Sequence, residues 1–380
     1  MVRIRSYTAG EAELARWLGT ELQGRGLEVE LQEIAPDRLN TLAWLRGAAG
    51  GANLMLNGHL DTNPAGEGWT KDPFGGEIAD GCVYGIGVSN MKAADAAMIE
   101  AATAVREAAV PVRGDVCLAL VAGELQGGVG TLHLLERGVR TDHFVVGEPT
   151  DLSVVTLHAG SFDFAVNVIG RTRHLSKMDE GISAIDKMYE VIRELGRVRF
   201  SGAERTDHRG LQRLNVGVIR GGMTREYLEW RVPQVPDFCT IKVAGRIAPS
   251  QTPEGALADI ERALRALQER DRDLRFEIVP SGTPGKHVMP PFEVDRDHPF
   301  VRRLVALHEE IVGAPPRVGD IAPYKFYGTD AGHLAARGMI GAVYGPGGKF
   351  NTMADERVEI ADLVAAAKVY ALLVAEICGT

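Results

Sequence analysis

Asn53-Leu54-Met55-Leu56-Asn57-Gly58-His59-Leu60-Asp61-Thr62 is an apolar run that ends on a histidine and an aspartate. Its first half has no polar alternation, which is the pattern of a strand buried on both faces of a sheet. In an extended segment, residues two apart leave the same face. His59 and Asp61 are so spaced, and one can hold a metal ion while the other orients its imidazole. A structural histidine beside an aspartate looks the same in isolation, so the pair takes its meaning from what surrounds it.

The same pattern recurs downstream. Val116 to Val121 and Phe144 to Val146 are further apolar strands, and the alanine-rich Ala93 to Val105 reads as a helix between the first two. Leu14, Trp17, Leu18 and Leu22 stand at helical spacing and predict an amphipathic helix with one buried face. Apolar strands separated by helices predict an α/β sheet covered on both sides. From His158 the pattern changes. Ser161 to Ile169 alternates, Ile182 to Leu195 is helical, and Leu214 to Ile219 and Cys239 to Ile247 are strands. Leu257, Ile260, Leu264 and Leu267 then mark a helix, and Arg275 to Val279 a last strand. This is the order of a ferredoxin-like unit. Thr283 to Pro291, rich in proline and glycine, reads as the linker back, and Ala361 to Ile377 as a closing helix. The expected organisation is a catalytic domain in two parts, 1–157 and 285–380, around an inserted domain at 158–284.

Composition narrows the function. The 380 residues are 45% hydrophobic and 24% charged, with a net charge of −9 and no basic run, which excludes nucleic acid as a partner. No stretch has the roughly 18 apolar residues of a membrane span. The first residues are charged and carry no apolar leader. Cys82, Cys117, Cys239 and Cys378 are scattered without a C-x-x-C, so a cytoplasmic location is expected rather than a disulfide framework.

Other clusters follow strands, and the carboxyl ends of strands in open α/β sheets are where ligands bind. Tyr84-Gly85-Ile86-Gly87-Val88-Ser89-Asn90-Met91-Lys92 precedes a helix, but it lacks the glycine spacing of a nucleotide loop and the context of a P-loop lysine. Gly123-Glu124-Leu125-Gln126-Gly127-Gly128-Val129-Gly130-Thr131 sets a glutamate at a strand end, as a general base or an ordinary loop carboxylate. Gly147-Glu148-Pro149-Thr150, Gly328-Thr329-Asp330-Ala331, Gly345-Pro346-Gly347 and Phe350-Asn351-Thr352-Met353-Ala354-Asp355-Glu356 complete the set.

Together with Trp69, Asp72-Pro73-Phe74, His174-Leu175-Ser176, Val235-Pro236-Asp237 and Arg246, these clusters resemble the family of aminoacylase, carboxypeptidase G, acetylornithine deacetylase and succinyl-diaminopimelate desuccinylase. The resemblance runs from Leu14 to Ala375. It implies an α/β fold: a mixed-sheet, zinc-peptidase-like catalytic domain with an inserted ferredoxin-like α+β domain serving as lid and dimerisation surface. Members hold two divalent ions and use a water to attack an amide. By the resemblance His59 and Glu148 are ligands of one ion, Asp61 orients His59, and Glu124 is the general base. His174 reaches the partner's site in a homodimer, Arg246 pairs with a substrate carboxylate, and Gly328 and Asn351 lie at the substrate.

The departures are concentrated. The bridging aspartate of the family falls on Asn90 and a metal-binding glutamate on Leu125. Its C-terminal histidine falls on Asn351, or on Thr352 if counted from Glu356, and no histidine follows His333. Pro233 stands where the family usually has an asparagine. All the lost ligands belong to one ion or to the bridge. Two negative charges vanish with one dication, so the site stays balanced. The expectation is one divalent ion, Mn2+ or Zn2+, on His59, Asn90 and Glu148. The expected activity is hydrolysis of a C–N bond, an amide or an amine on an activated ring, in a small carboxylate-bearing molecule. The competing expectation is a metal-free binding protein, against which the retention of His59, Asp61, Glu124, Glu148 and His174 speaks.

Overall fold

Leu54–His59 forms an interior strand, buried at every position, as its unbroken apolar character requires. In the computed structural model, which describes residues 1–280 and 288–379, the chain divides into two compact units, Met1–His158 with Phe292–Thr380 and Ala159–Pro291. The boundary expected at 284/285 and the start of the linker expected from Thr283 lie outside the described residues.

The first unit is built on an eight-stranded sheet. Its strands lie in the order Glu28–Ala35, Arg38–Leu45, Val116–Val121, Leu54–His59, His143–Val146, Ile340–Val343, Val154–Val155 and Val318–Gly319. The sheet is mixed: Leu54–His59 runs parallel to both neighbours, while Arg38–Leu45 runs antiparallel to Val116–Val121. The two-residue period of a strand sends its side chains to opposite layers. Leu54 and Leu56 join one core with Met98, Ala101, Val369 and Tyr370, while Met55 joins another with Cys117, Phe144 and Leu334. Helices Ala93–Glu107, Pro299–Val312 and Ile360–Ile377 pack over the first of these layers.

Helix Ala12–Gly24 buries Leu14, Leu18 and Leu22. Trp17, expected on that face, is 41% exposed. Leu14, Leu18 and Leu22 form a stripe of i, i+4, i+8 positions, and an i+3 residue falls to its edge.

The second unit carries an antiparallel sheet in the order Arg213–Gly222, Phe238–Ile247, Gly160–Ile169, Phe276–Pro280. Helices Ala184–Leu195 and Pro253–Arg270 cover it, with Met188, Val191, Ile260 and Leu264 against Phe164, Val166 and Ile241. Each helix begins at a side-chain cap. Ser183 Oγ accepts from Asp186 N at 3.2 Å and Thr252 Oγ1 from Gly255 N at 3.1 Å, and Pro253 takes the first turn, where its missing N–H costs nothing. The Ser183 cap is why the helix begins two residues after Ile182.

No helix among the described residues is long and apolar enough to cross a membrane. Cys82, Cys117, Cys239 and Cys378 are all free and buried.

Candidate metal centre

Val116–Val121, Leu54–His59, His143–Val146 and Ile340–Val343 run parallel, so their carboxyl ends lie along one edge of the sheet. The clusters around His59, Glu124, Glu148 and Gly345 all leave from that edge.

His59 closes its strand and is buried. Its Nδ1 lies 2.9 Å from the main-chain oxygen of Asp61, while the Asp61 carboxylate is 3.6 Å away. The ring is therefore set by the Asp61 carbonyl, not by the carboxylate as expected. The carboxylate instead accepts the backbone N–H groups of Glu124 and Leu125 at 3.0 and 3.1 Å, and the Thr8 hydroxyl at 3.1 Å. Asp61 so fixes the short turn Glu124–Gln126. Gly123 reaches that turn with φ +74°, and a Cβ there would lie 2.3 Å from Val129 Cγ2 and 2.6 Å from an Arg38 nitrogen. Only glycine fits this bend.

The other ring nitrogen, Nε2, faces Asn90 Oδ1 at 2.7 Å and Glu148 Oε1 at 3.6 Å. With Nδ1 donating to the carbonyl, a neutral ring turns a lone pair towards these oxygens, and the arrangement needs a proton or a metal ion between them. Asn90 is held in place from behind, because Glu356 Oε1 accepts the N–H groups of Ser89 and Asn90 at 2.8 and 3.1 Å. Ligand atoms of His59, Glu124 and Glu148 lie within 4.8 Å of one another, so Glu124 reaches the same point as the expected ligands.

The electrostatics agree. Burial alone would lower the His59 pKa, but Glu148, Asp61, Glu124 and Asp95 outweigh it and push it up to about 10. Burial, then the neighbouring Glu148, raises Glu124 well above the ordinary carboxylate value. Burial also raises Glu148, and it lifts Asp330 to about 7 and Asp95 to about 8. Carboxylates held out of water around one imidazole make a centre suited to positive charge. An imidazole, carboxylates and an amide oxygen fit a divalent ion.

Asp330, in the Gly328-Thr329-Asp330-Ala331 cluster, joins this centre, and so does Asp95, which no motif singles out. Neither oxygen of Asp95 has a hydrogen-bond partner, and its Oδ1 lies where a Cβ on Gly58 would be, 1.9 Å away. An acid in the buried first turn of the alanine-rich Ala93–Glu107 helix was the available signal.

A cleft of about 260 Å³ opens beside Asn90, lined among others by Trp69, Ile86, Thr352 and Met353. Of the two candidates for the lost histidine, Thr352 lines this cleft, whereas Asn351 turns its amide to Tyr327 Oη at 3.3 Å. Counting back from Glu356, which accepts the N–H groups of Ser89 and Asn90, leads to Thr352. Leu125 offers only hydrocarbon. Gly328 is half-buried, next to Tyr327. His174 and Arg246 belong to the second unit. His174 is exposed at the start of the Leu175–Glu180 turn, its Nδ1 accepting from Ser176 N at 3.2 Å. Arg246 is half-buried on the Phe238–Ile247 strand.

Known proteins are similar to this chain in sequence and fold. The chain is 27% identical to the N-formyl-4-amino-5-aminomethyl-2-methylpyrimidine deformylase of Bacillus subtilis, over 93% of this chain and 86% of that one. It is 29% identical to the acetylornithine deacetylase of Vibrio cholerae, over 79% of this chain and 75% of that one. Its fold matches that of an M20 family metallo-carboxypeptidase, Sso-CP2 of Sulfolobus solfataricus, with a TM-score of 0.78 at 16% identity, covering 100% of this chain and 98% of that one. The pattern of peptidase family M20/M25/M40 matches residues 55–376. The chain belongs to peptidase family M20/M25/M40, and with it to the hydrolases that act on C–N bonds.

Proposed function

We propose that this chain is a one-metal hydrolase that cleaves a C–N bond, an amide or an amine on an activated ring, in a small carboxylate-bearing molecule. The observation that carries this is His59 Nε2 facing Asn90 Oδ1 and Glu148, with the Glu124 carboxylate within reach of the same point. His59, Asn90 and Glu148 hold the ion. Their nitrogen and oxygen donors, without thiolate, suit Zn2+ or Mn2+. A divalent ion bound there supplies a Lewis acid and lowers the pKa of water to the range in which it can attack. Glu124 takes the proton of that water and delivers it to the departing nitrogen. Its raised affinity for a proton suits both halves of that exchange. Leu125 and Thr352 provide no matching imidazole and carboxylate for a second ion.

Small substrates fit the cleft and the two curated relatives, a deformylase and a deacetylase. Arg246 is the proposed partner of the substrate carboxylate, since a guanidinium matches that group with paired hydrogen bonds. Gly328 is proposed to lie against the substrate. Free, buried cysteines support a reducing, cytoplasmic setting.

The test is a panel of N-acetyl and N-formyl amino acids, an N-formylaminopyrimidine and amino-aromatic acids, assayed with Mn2+ or Zn2+. Turnover of at least one of them, abolished by a chelator and restored by metal, is expected. Absence of both turnover and metal binding would leave the chain a binding protein.

We also propose a homodimer in which His174 serves the site of the other copy. Two features support it. Arg213–Gly222 is an edge strand, and exposed apolar side chains line it and the neighbouring helix: Val218, Ile219, Ile185 and Tyr189. Such an edge invites another chain. Mixing inactive Glu124→Gln and His174→Ala chains should restore part of the activity, because one hybrid site then has both groups intact. If subunits exchange and no activity returns, His174 does not act across an interface.

A further inference from the structure

Asn351 and Thr352, the two positions on which the family's lost histidine falls, are joined to Tyr327 by hydrogen bonds. Thr352 Oγ1 donates to Asn351 Oδ1 at 2.8 Å, and Asn351 Nδ2 donates to Tyr327 Oη at 3.3 Å. Tyr327 thus accepts from Asn351, and among the described residues its own O–H has no acceptor. Burial, with Glu148 and Asp151 adding to it, lifts the phenol to about 12, so the hydroxyl keeps its proton at neutral pH. The ring is half-buried and packed edge-on against Tyr324, with centroids 5.7 Å apart at 67°. Thr352, at the start of the chain of bonds, lines the cleft beside Asn90. A tyrosine hydroxyl in such a setting usually finds a partner. Either water takes this donor, or the substrate does.

We propose that Tyr327 is a further catalytic residue, donating its O–H to the carbonyl oxygen of the scissile bond as negative charge builds there, with Asn351 as its positioning residue. This rests on the C–N hydrolase function proposed above. It gives the altered loop a purpose. Residues that no longer offer an imidazole to a second ion instead hold a neutral donor. A preorganised donor of this kind acts on the transition state more than on the ground state. No bond to Tyr327 forms, and its proton stays on the phenol oxygen throughout.

The experiment uses the metal-loaded chain and the N-acyl substrate of the panel that the wild type turns over best. Tyr327→Phe should lower kcat roughly 10²-fold, the usual loss for one such donor, with KM and metal content close to wild type. Asn351→Ala should lower kcat about 10-fold, and the double variant should be no slower than Tyr327→Phe alone, since both remove one interaction. A Tyr327→Phe chain with wild-type kcat, or one in which only KM rises, overturns the proposal. If Tyr327→Phe does not fold, an unchanged kcat in Asn351→Ala overturns it equally. Glu124→Gln separates the two levels. If that variant is inactive while Tyr327→Phe is normal, only the role of Tyr327 is wrong; if Glu124→Gln is fully active, the hydrolytic mechanism itself is wrong.

Discussion

Replacing Glu124 with glutamine is expected to lower kcat/KM by about 10²-fold or more, the usual scale for loss of a general base, with fold and metal content preserved. The turn that carries Glu124 is held by its backbone N–H groups on Asp61 and by the left-handed bend at Gly123. Neither depends on the carboxylate, and glutamine has the same shape. What is lost is the capacity to take a proton from water beside His59 and Glu148. Circular dichroism and elemental analysis would establish that structure and metal are intact, and steady-state kinetics would give the effect. Activity near wild type would assign the base elsewhere, and Asp330, a buried carboxyl lifted to about 7, would be the next candidate.

The parts of the fold written most clearly in the sequence are those whose environment is uniform. Leu54–His59 and Val116–Val121 are buried at every position, and an unbroken apolar run is the direct consequence. The hairpin of Glu28–Ala35 and Arg38–Leu45 was not anticipated. Its first strand is at the sheet edge, with Leu31 43% exposed and glutamates along it, so surface and core signals mix. Val154–Val155 and Val318–Gly319 are too short to show any period.

The site was legible to a similar degree. His59, Glu124 and Glu148 follow strands, and strand ends are where a parallel sheet gathers functional groups. The true role of the Asp61 carboxylate was not legible, because it depends on backbone N–H groups some sixty residues away. Tyr327 was hidden for the same reason, since only the folded loop brings Asn351 to its hydroxyl. Which of Asn351 and Thr352 lines the cleft was not legible either, because it depends on how the folded loop turns each side chain.

Rebuilding the lost ligands should convert the site. The triple change Asn90→Asp, Leu125→Glu and Thr352→His restores a bridging carboxylate, a second carboxylate and an imidazole. Metal content should then rise from one towards two ions per chain, because the added negative charge offsets repulsion between neighbouring dications. Activity on the original substrate should fall, since the second ion would occupy space in the cleft beside Asn90. Asn90→Asp alone should bind little extra metal, as it adds a charge to a centre already crowded with carboxylates. A folded triple variant that still binds a single ion would show that the loop has diverged from a two-metal geometry.

The most direct test is the metal content of the wild-type chain itself. After loading with Zn2+ or Mn2+ and exhaustive dialysis, elemental analysis should give one ion per chain, and the His59→Ala variant should give none. Two tightly held ions in the wild type, or one ion that persists without His59, would contradict a single-metal centre on His59, Asn90 and Glu148.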